Sequence, residues 1–333
     1  MSQLSENITQ AGPDEAPSVW VVSDGRAGME NQALGLAERL GEPFRVARLA
    51  PKGWQVHLPP DRWPAPLKAL PRPESFAPPW PALMIGCGRR IIPYLLLARA
   101  QGVKTVYIQD PRVPADLFDL VIAPSHDRLS GPNVVPVLGS VHRITPARLD
   151  EAAKDWQGRF ALPAPYAALL IGGPNSRLGL DARFAAQMAD SVLAAAKRAH
   201  LSVLATASRR TGDDARAAIT GRFAQAGHGM VWDGTGDNPL FGMLALSDVI
   251  LVTSDSVNMA SEAVATGKPV YRIDLPRKRG LHARVSKFDR FHADLEAAGH
   301  TRPFEDRIER FAAKPLDWSV TVLPRIEALL TDR

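Results

Sequence analysis

Short apolar runs alternate with amphipathic segments along most of this chain, and polar loops rich in glycine join them. The clearest example covers residues 82–109, where an apolar run, a Gly-Cys-Gly loop, a helical segment and a second apolar run follow in order. This pattern predicts a strand, a crossover helix and a second, parallel strand. Because strands linked through helices form parallel sheets covered on both faces, the sequence predicts an α/β protein.

The alternation occurs in two separate stretches, over residues 19–156 and again over 166–273. A chain of 333 residues with 45% hydrophobic content can bury two cores, so we expect two Rossmann-like domains with parallel sheets, facing across a cleft. The predicted segments are a disordered tail over 1–17, an N-terminal domain over 18–158, a C-terminal domain over 159–315 and a final helix over 316–333. Packing of that helix back on the N-terminal domain is one option.

Composition excludes several classes of protein. Cys87 is the only cysteine, so no internal disulfide can form and a reducing compartment is expected. The net charge of +5 comes from mixed, dispersed charges, which indicates mild attraction to phosphate rather than nucleic-acid binding. No apolar run approaches the length of a membrane span, and residues 1–17 lack the features of a signal or transit peptide. We expect a cytoplasmic protein, with peripheral membrane contact as the alternative.

In parallel sheets, ligands bind beyond the carboxyl ends of the strands, so the loops after the strands are the candidate sites. In the first half the loop "SDGRAGMENQ" places Asp24 and Arg26 there. Asp24 is either a general base or a helix cap, and Arg26 either binds an anion or is solvated. His126, followed by Asp127, is a second candidate base. The candidate acceptor-side residues are Arg26, Gln32, Arg89, Gln109, Asp110 and Arg112, although Asp110 and Arg112 could simply pair with each other.

The second half contains three loops of the same kind, "GGPNSRLG", "TASRRT" and "TSDSVN", the last leading into a helix. Backbone amides between a strand and a helix can hold a diphosphate. Asn258 and Glu262 are four residues apart on that helix and share a face, where a carboxylate could accept hydrogen bonds from both ribose hydroxyls. The candidate donor-binding residues are Gly172, Gly173, Asn175, Ser208, Arg209, Ser254, Asp255, Ser256, Asn258 and Glu262. Histidines show no metal-ligand spacing, so no metal is predicted. The loop "GCGRR" lacks the third glycine of a dinucleotide-binding fingerprint, and no cofactor is predicted.

Several segments, in order, resemble the mitochondrial-fission (elongated-mitochondria) family. They are "SDGRAGMENQALGLAERLG", "QDPR", "FDLVIAPSHD", "GPNVV", "IGGPNS" and "TSDSVNMASEAVATGKPVY". That family is similar to GT-B glycosyltransferases, in which the N-terminal domain binds the acceptor and the C-terminal domain binds a nucleotide-sugar. The resemblance implies that Glu262 holds the ribose and that "IGGPNS" is the glycine loop of the donor domain. Many such enzymes carry their catalytic base in the first loop, where this chain has no histidine and Asp24 is the only carboxylate before the helix.

Three functions follow as hypotheses. The first is transfer of a sugar from a nucleotide-sugar to an unknown acceptor without a metal, and the sequence leaves open whether turnover occurs. The second is a non-catalytic module of the fission family that recruits a protein or contacts a membrane surface, for example through the basic loop 276–280 or the proline-rich stretch 51–81. The third is a nucleotide-sugar epimerase, with Asp24 and Asp255 as its carboxylate pair.

Overall fold

The computed structural model describes residues 18–278 and 286–331. The predicted tail over 1–17 and the end of the basic loop, from Arg279, lie outside the described residues. By its internal contacts the chain divides into two compact units. The first unit contains residues 18–143 and 317–331, and the second contains residues 144–316.

The first unit is built on a six-stranded parallel sheet. Its strands are β1 (Val19–Ser23), β2 (Phe44–Arg48), β3 (Leu83–Cys87), β4 (Lys104–Ile108), β5 (Leu120–Pro124) and β6 (Val134–Val137). They lie in the order β2-β1-β3-β4-β5-β6, and every pair is parallel. Strands β1, β3, β4 and β5 are buried on both faces, which is why they appear in the sequence as largely apolar runs. The edge strand β2 exposes Arg45 and Arg48.

Helices lie on both faces of this sheet. Its described helices are α1 (Ala27–Leu40), α2 (Ile92–Arg99) and α9 (Ser319–Thr331), the last contributed by the end of the chain. Helices α1 and α9 lie on one face, and α2 lies on the other. Trp318, Val322 and Ile326 are buried in the same core cluster as strand residues such as Val21 and side chains of α1. The terminal helix therefore completes the core of the first unit.

The proline-rich stretch 51–81 could be read from its composition as an irregular loop over the surface, but in the structure it is part of the core of the first unit. It forms four 3-10 turns, and its Trp63 and Phe76 side chains are buried with Trp20 and Tyr94 in the core on one face of the sheet. Proline cannot continue an α-helix, yet these apolar side chains still cover the sheet. The stretch thus does the work of a crossover helix between β2 and β3.

The second unit also has a six-stranded parallel sheet. Its strands are β7 (Tyr166–Ile171), β8 (Ser202–Ala207), β9 (Gly229–Val231), β10 (Ser247–Thr253), β11 (Val270–Ile273) and β12 (Thr301–Pro303). Their order is β12-β11-β10-β7-β8-β9, which is the doubly wound order of a Rossmann fold. The prediction of two Rossmann-like α/β domains with parallel sheets is confirmed.

Six helices of the described residues belong to the second unit. They are α3 (Pro146–Trp156), α4 (Ala182–Arg198), α5 (Asp213–Ala226), α6 (Leu240–Leu246), α7 (Val257–Ala265) and α8 (Lys287–Ala297). The sequence assigned the α3 segment to the N-terminal domain, whereas in the structure α3 packs against α6 of the second unit. Gly242 of α6 has no room for a side chain, because an added Cβ would lie 2.3 Å from the Trp156 ring.

Candidate functional site

In each sheet the strand order reverses at one place, the switch point. A crevice opens there beyond the carboxyl ends of the two neighbouring strands. In the first unit these strands are β1 and β3, which are neighbours although not consecutive. In the second unit they are β7 and β10. The loops that the sequence singled out, after Ser23 and after Ile171, leave the sheets at these two points.

In the second unit, a buried carboxylate joins the loops at the switch point. The Asp255 side chain has no solvent exposure and forms an ion pair with Arg210 at 2.7 Å. The amide of Gly173 donates to its Oδ2 at 2.9 Å, and the hydroxyl of Thr253 donates to its Oδ1 at 2.7 Å. Both oxygens are thus satisfied from within the unit, which is the usual condition for burying a charge.

The two positions after β7, Gly172 and Gly173, have room only for glycine. A Cβ on Gly172 would lie 2.1 Å from Asp255 Oδ2, and one on Gly173 would lie 2.1 Å from the carbonyl oxygen of Arg210. The Gly172 amide donates to Thr253 Oγ1 at 2.8 Å. The amides of both glycines are therefore engaged inside the unit, and their close approach serves the Asp255–Arg210 contact.

The rest of this loop is also internally bonded. Asn175 Oδ1 accepts from the amides of Arg177 and Leu178 at 2.8 and 2.9 Å, which folds the loop on itself. The Nδ2 group of Asn175, by contrast, is buried without a hydrogen-bond acceptor among the described residues. It is the donor in this loop that a ligand oxygen could satisfy.

Helix α7 begins at the other side of the switch point and is the better anion site. Ser256 is its N-cap, and the Ser256 hydroxyl accepts from the Met259 amide at 3.3 Å. Capping leaves the first amides of α7 for another acceptor, and the helix dipole favours an anion there. Asn258 lies in this first turn, next to the open amides.

Glu262 is on the same helix, half-buried between neighbours that include the buried Ala263. Burial raises the pKa of Glu262 to about 7. No nearby cation lowers it, and among the described residues none donates a hydrogen bond to this carboxyl group. A partly desolvated carboxyl group that has no partner among the described residues, on a helix whose N-terminus lies at the switch point, is a marker of a ligand site.

Ser254 and Ser208 serve the scaffold. The Ser254 hydroxyl accepts from the Leu275 amide at 3.0 Å, and its carbonyl oxygen lies 2.9 Å from His292 Nε2. Burial lowers the pKa of His292, so the imidazole is a neutral donor in this contact. The Ser208 hydroxyl accepts from the amide of Arg210 at 3.1 Å and fixes the turn that carries that arginine. The neighbouring Arg209 is exposed.

In the first unit, Asp24 lies at the switch point with its side chain only 2% exposed. Its Oδ1 accepts from the Arg26 amide at 3.3 Å, and Oδ2 is 3.3 Å from Arg26 Nε but accepts no hydrogen bond from a described residue. Helix α1 begins at Ala27 without a side-chain cap. The carboxylate therefore does not cap that helix, and one of its oxygens is buried with capacity to accept a proton.

Tyr107 and Asp110 share the environment of Asp24. Burial raises the pKa of the Tyr107 hydroxyl, and the charges of Asp24 and Asp110 act in the same direction. Burial, together with the charge of Asp24, also raises the pKa of the Cys87 thiol, which keeps this cysteine protonated. The thiol is therefore not a nucleophile.

His126, the other predicted base, is separated from Asp24. It follows β5, and β3 and β4 lie between β5 and β1. At about 4.8 Å per strand spacing, Asp24 and His126 follow strands roughly 14 Å apart. The His126 ring is 2% exposed, and its Nε2 is 4.0 Å from Asp127 Oδ1, which is too long for a hydrogen bond. The structure does not bring the two candidate bases together.

The remaining acceptor-side residues fall into two groups. Gln32 is buried within α1, where its Nε2 donates to the Gly28 carbonyl at 3.2 Å. Arg89 and Arg112 are exposed, and Asp110 accepts from the backbone amide of Arg112 at 2.9 Å rather than pairing with its guanidinium. Gln109 adopts a left-handed backbone, with φ of 87°. At the carboxyl edge of the sheet, Arg89 follows β3, the neighbour of the strand that precedes Asp24, and Arg112 follows β4, one strand further away.

Sequence reasoning missed several participants. Arg210, not Arg209, pairs with Asp255, and Thr253 connects Asp255 to the glycine loop. The separation along the chain, 45 residues for Arg210 and Asp255, hides such a contact from a linear reading. In the described ranges 18–278 and 286–331, no three His, Cys, Asp or Glu side chains are grouped so as to hold a metal ion. The helices of these ranges all fall short of the length and apolar character needed to cross a membrane.

Comparison with known proteins identifies the family. The family described as "Mitochondrial fission ELM1" matches residues 27–328 of this chain. The chain belongs to this mitochondrial fission family. Mitochondrial fission protein ELM1 of Arabidopsis thaliana is 31% identical over 290 residues, which cover 78% of this chain and 66% of the plant protein, just under two thirds of its length. Uncharacterized protein RP120 of Rickettsia prowazekii (strain Madrid E) is 24% identical, with 90% and 95% of the two chains covered.

Solved structures share the two-domain fold. A UDP-GlcNAc 2-epimerase from Methanocaldococcus jannaschii has a TM-score of 0.56 and 11% identity, with 93% of this chain and 99% of that chain covered. The Neisseria meningitidis UDP-GlcNAc 2-epimerase, bound to UDP-GlcNAc, has a TM-score of 0.52 and 14% identity over 94% and 99%. The spinosyn forosaminyltransferase SpnP has a TM-score of 0.52 and 12% identity over 96% and 100%. This fission-family chain thus has a GT-B-like fold, as the resemblance implied.

Proposed function

We propose that this protein is a metal-independent glycosyltransferase. In this proposal the second unit binds a nucleoside-diphosphate sugar at the switch point between β7 and β10, and the first unit binds an acceptor hydroxyl beside Asp24. The observation that carries the proposal is Glu262, a half-buried carboxyl group with a pKa raised to about 7 and no hydrogen-bonding partner among the described residues.

A ribose supplies what Glu262 lacks. Its two neighbouring hydroxyl groups can each donate to one carboxylate oxygen, which stabilises the charged form that burial disfavours. Glu262 is five residues beyond Val257, the first residue of α7, a rise of about 7.5 Å along a helix. A nucleotide spans a comparable length from its ribose to its diphosphate, so both could contact α7 at once.

The leaving diphosphate would be held by groups that face a developing negative charge. These are the first amides of α7, the Ser256 hydroxyl, the unpartnered Nδ2 of Asn175 and the exposed Arg209. Donors fixed in place before the reaction stabilise a leaving group without reorganisation. The amides of Gly172 and Gly173 donate hydrogen bonds within the unit, which keeps their loop rigid. Direct contact of these glycines with the nucleotide-sugar stays a prediction.

The reaction forms a bond between the acceptor oxygen and the anomeric carbon of the sugar. The bond from that carbon to the diphosphate oxygen breaks, and its electron pair leaves with the nucleoside diphosphate. The acceptor proton passes to the buried Oδ2 of Asp24. Asp24 is preferred to His126 because it lies at the switch point, where ligands of this sheet class bind.

The structural relatives support this assignment by chemistry as well as fold. The Neisseria meningitidis epimerase is bound to UDP-GlcNAc, and SpnP is a forosaminyltransferase. An epimerase is the weaker proposal here. Its second carboxylate, Asp255, has no exposure and already accepts hydrogen bonds on both oxygens.

Calorimetric titration with uridine, guanosine and adenosine diphosphates, and with UDP-GlcNAc, tests the donor site. We expect one nucleotide class to bind, and Glu262→Ala to weaken it at least about tenfold through loss of two hydrogen bonds to a charged group. Because the carboxylate is the accepting form, affinity should fall as the pH is lowered through about 7, and Glu262→Gln should remove this dependence. Glu305→Ala, at an exposed carboxylate of the same unit, is the control. Absence of affinity for every nucleotide would refute the proposal.

A second function, a recruiting module of the fission family, is favoured by one observation. Trp54, in the proline-rich stretch, is 65% exposed, an unusual state for so large an apolar side chain. A pull-down and liposome co-sedimentation with Trp54→Ser would test this function. Loss of a partner, together with no nucleotide affinity, would favour it over the transferase.

A further inference from the structure

Four exposed arginines lie at the carboxyl edge of the first unit's sheet, and none of them has an ion-pair partner among the residues that the structure describes. Arg89 and Arg90 follow β3, Arg112 follows β4 and Arg128 follows β5. These strands are direct neighbours, with Cys87 opposite Ile108 and Ile108 opposite Ile122. At about 4.8 Å per strand, all four residues leave the sheet within roughly 10 Å of one another. We call this set the arginine edge.

The arginine edge differs from four other arginines of the unit. Arg39, Arg48, Arg99 and Arg143 each pair with a carboxylate of the unit. No described carboxylate lies within ion-pair distance of the arginine edge. Among the described residues, its guanidinium groups make one hydrogen bond, from Arg89 to the Leu58 carbonyl at 3.1 Å. Their charge is therefore available to a ligand.

Acidic neighbours do not cancel this charge. Asp24 pairs with Arg26, which is a fifth arginine of the same edge. Asp110 accepts from the Arg112 backbone, and Asp127 is 9% exposed beside His126. Arg112 and Arg128 also adopt left-handed backbones, with φ of 55° and 59°. Such conformations are unfavourable for a residue with a side chain and tend to occur at functional sites.

A second, independent feature points to a ligand at the same edge. Asp24 Oδ2 is buried, in a side chain only 2% exposed, and accepts no hydrogen bond from a described residue. A hydroxyl group is the ligand feature that such an oxygen would accept from. A compound that satisfies both features carries a hydroxyl group and, near it, one or more strong anions.

We propose that the acceptor of this protein carries phosphate. The arginine edge binds this phosphate, next to the hydroxyl group that donates a hydrogen bond to Asp24. This inference rests on the proposed transferase function and names the class of its acceptor. Arginine matches phosphate oxygens with paired donors, which favours phosphate over a single carboxylate. The phosphate could belong to a lipid headgroup or to a soluble phosphate ester, and the test separates the two.

The test measures binding without any nucleotide. Inorganic pyrophosphate, titrated by calorimetry, is the soluble probe, and vesicles of phosphatidylcholine with or without phosphatidic acid are the lipid probe. The variants are Arg89→Gln/Arg90→Gln and Arg112→Gln/Arg128→Gln. We expect each double variant to weaken at least one probe by about tenfold or more, since each cation near a phosphate surface contributes about fivefold. A second pyrophosphate site in the other unit would not respond to these substitutions.

The matched control is Arg72→Gln. Arg72 is exposed on the same unit but precedes the turn whose Ser75 carbonyl accepts from Arg45, near the start of β2 rather than the carboxyl ends of the strands. It should leave binding unchanged. If the double arginine variants lose vesicle binding only, and Trp54→Ser makes this loss larger, the phosphate belongs to a lipid headgroup. If they lose pyrophosphate binding, it belongs to a soluble ester.

Failure of this inference is distinguishable from failure of the transferase proposal. No binding of either probe, or equal loss in Arg72→Gln, would overturn the phosphate acceptor while leaving nucleotide binding by Glu262 untouched. Binding that depends on the arginine edge, in a protein that binds no nucleotide, would retain the phosphate site and remove the transferase.

Discussion

Glu262→Gln should stabilise this protein at alkaline pH while impairing nucleotide binding. Burial raises the pKa of Glu262 from 4.5 to about 7, so the folded protein holds this proton more tightly than the unfolded chain does. Below about pH 4.5 both states are protonated, and the group has no effect. Between about pH 4.5 and 7 the unfolded chain ionises first, so stability falls as the pH rises. Above about pH 7 the group is ionised in both states, and the full loss of folding stability caused by the buried charge is present.

The size of this cost follows from the shift. At about 1.4 kcal/mol per pKa unit, a change from 4.5 to about 7 corresponds to about 3 kcal/mol. Because Glu262 is half-buried, solvent screening reduces the expected gain for Glu262→Gln at pH 8 to about 2 kcal/mol. The neutral amide has a similar shape and avoids the desolvated charge.

Urea denaturation at pH 5, 6, 7 and 8, followed by circular dichroism, measures the effect. The difference between wild type and Glu262→Gln should grow with pH and level off above about 7, since other groups titrate equally in both proteins. Glu305→Gln, at an exposed site, should show no such trend. A Glu262→Gln protein that is less stable than wild type at pH 8 would refute the reasoning, because it would mean that the carboxylate has a stabilising partner.

Two further substitutions test the packing that supports the sites. Asp255→Ala should lower the free energy of unfolding by about 3 kcal/mol, because it leaves buried donors without an acceptor. The control Asp190→Ala removes an ion pair whose side chains are about half exposed, and it should cost under about 1 kcal/mol; equal losses in urea unfolding would contradict this. Gly35→Ala should destabilise the first unit by about 2 kcal/mol or more, because its Cβ would lie 2.5 Å from the carbonyl oxygen of His142; an unchanged thermal midpoint would show that α1 can shift away.

The chain's local pattern determined its fold class. Continuous apolar runs such as 166–171, followed by a glycine loop and an amphipathic helix, predict parallel strands because only strands buried on both faces lack alternation. The C-terminal end of α1 is also local in origin, since Gly41 adopts the left-handed backbone that a glycine C-cap allows. Glu262 could be singled out because an acidic residue stood in an otherwise apolar helix.

What tertiary structure decided was which of these polar groups remain available. The sequence placed Gly173, Asp255 and Arg209 together as donor contacts, but folding buries Asp255 against the Gly173 amide and Arg210, a residue 45 positions away. It also sets Asp24 and His126 after strands three spacings apart, and it leaves the arginine edge without an ion pair to any described carboxylate. Burial, strand order and the supply of counter-charges depend on neighbours that are distant in the chain, so no local pattern can encode them.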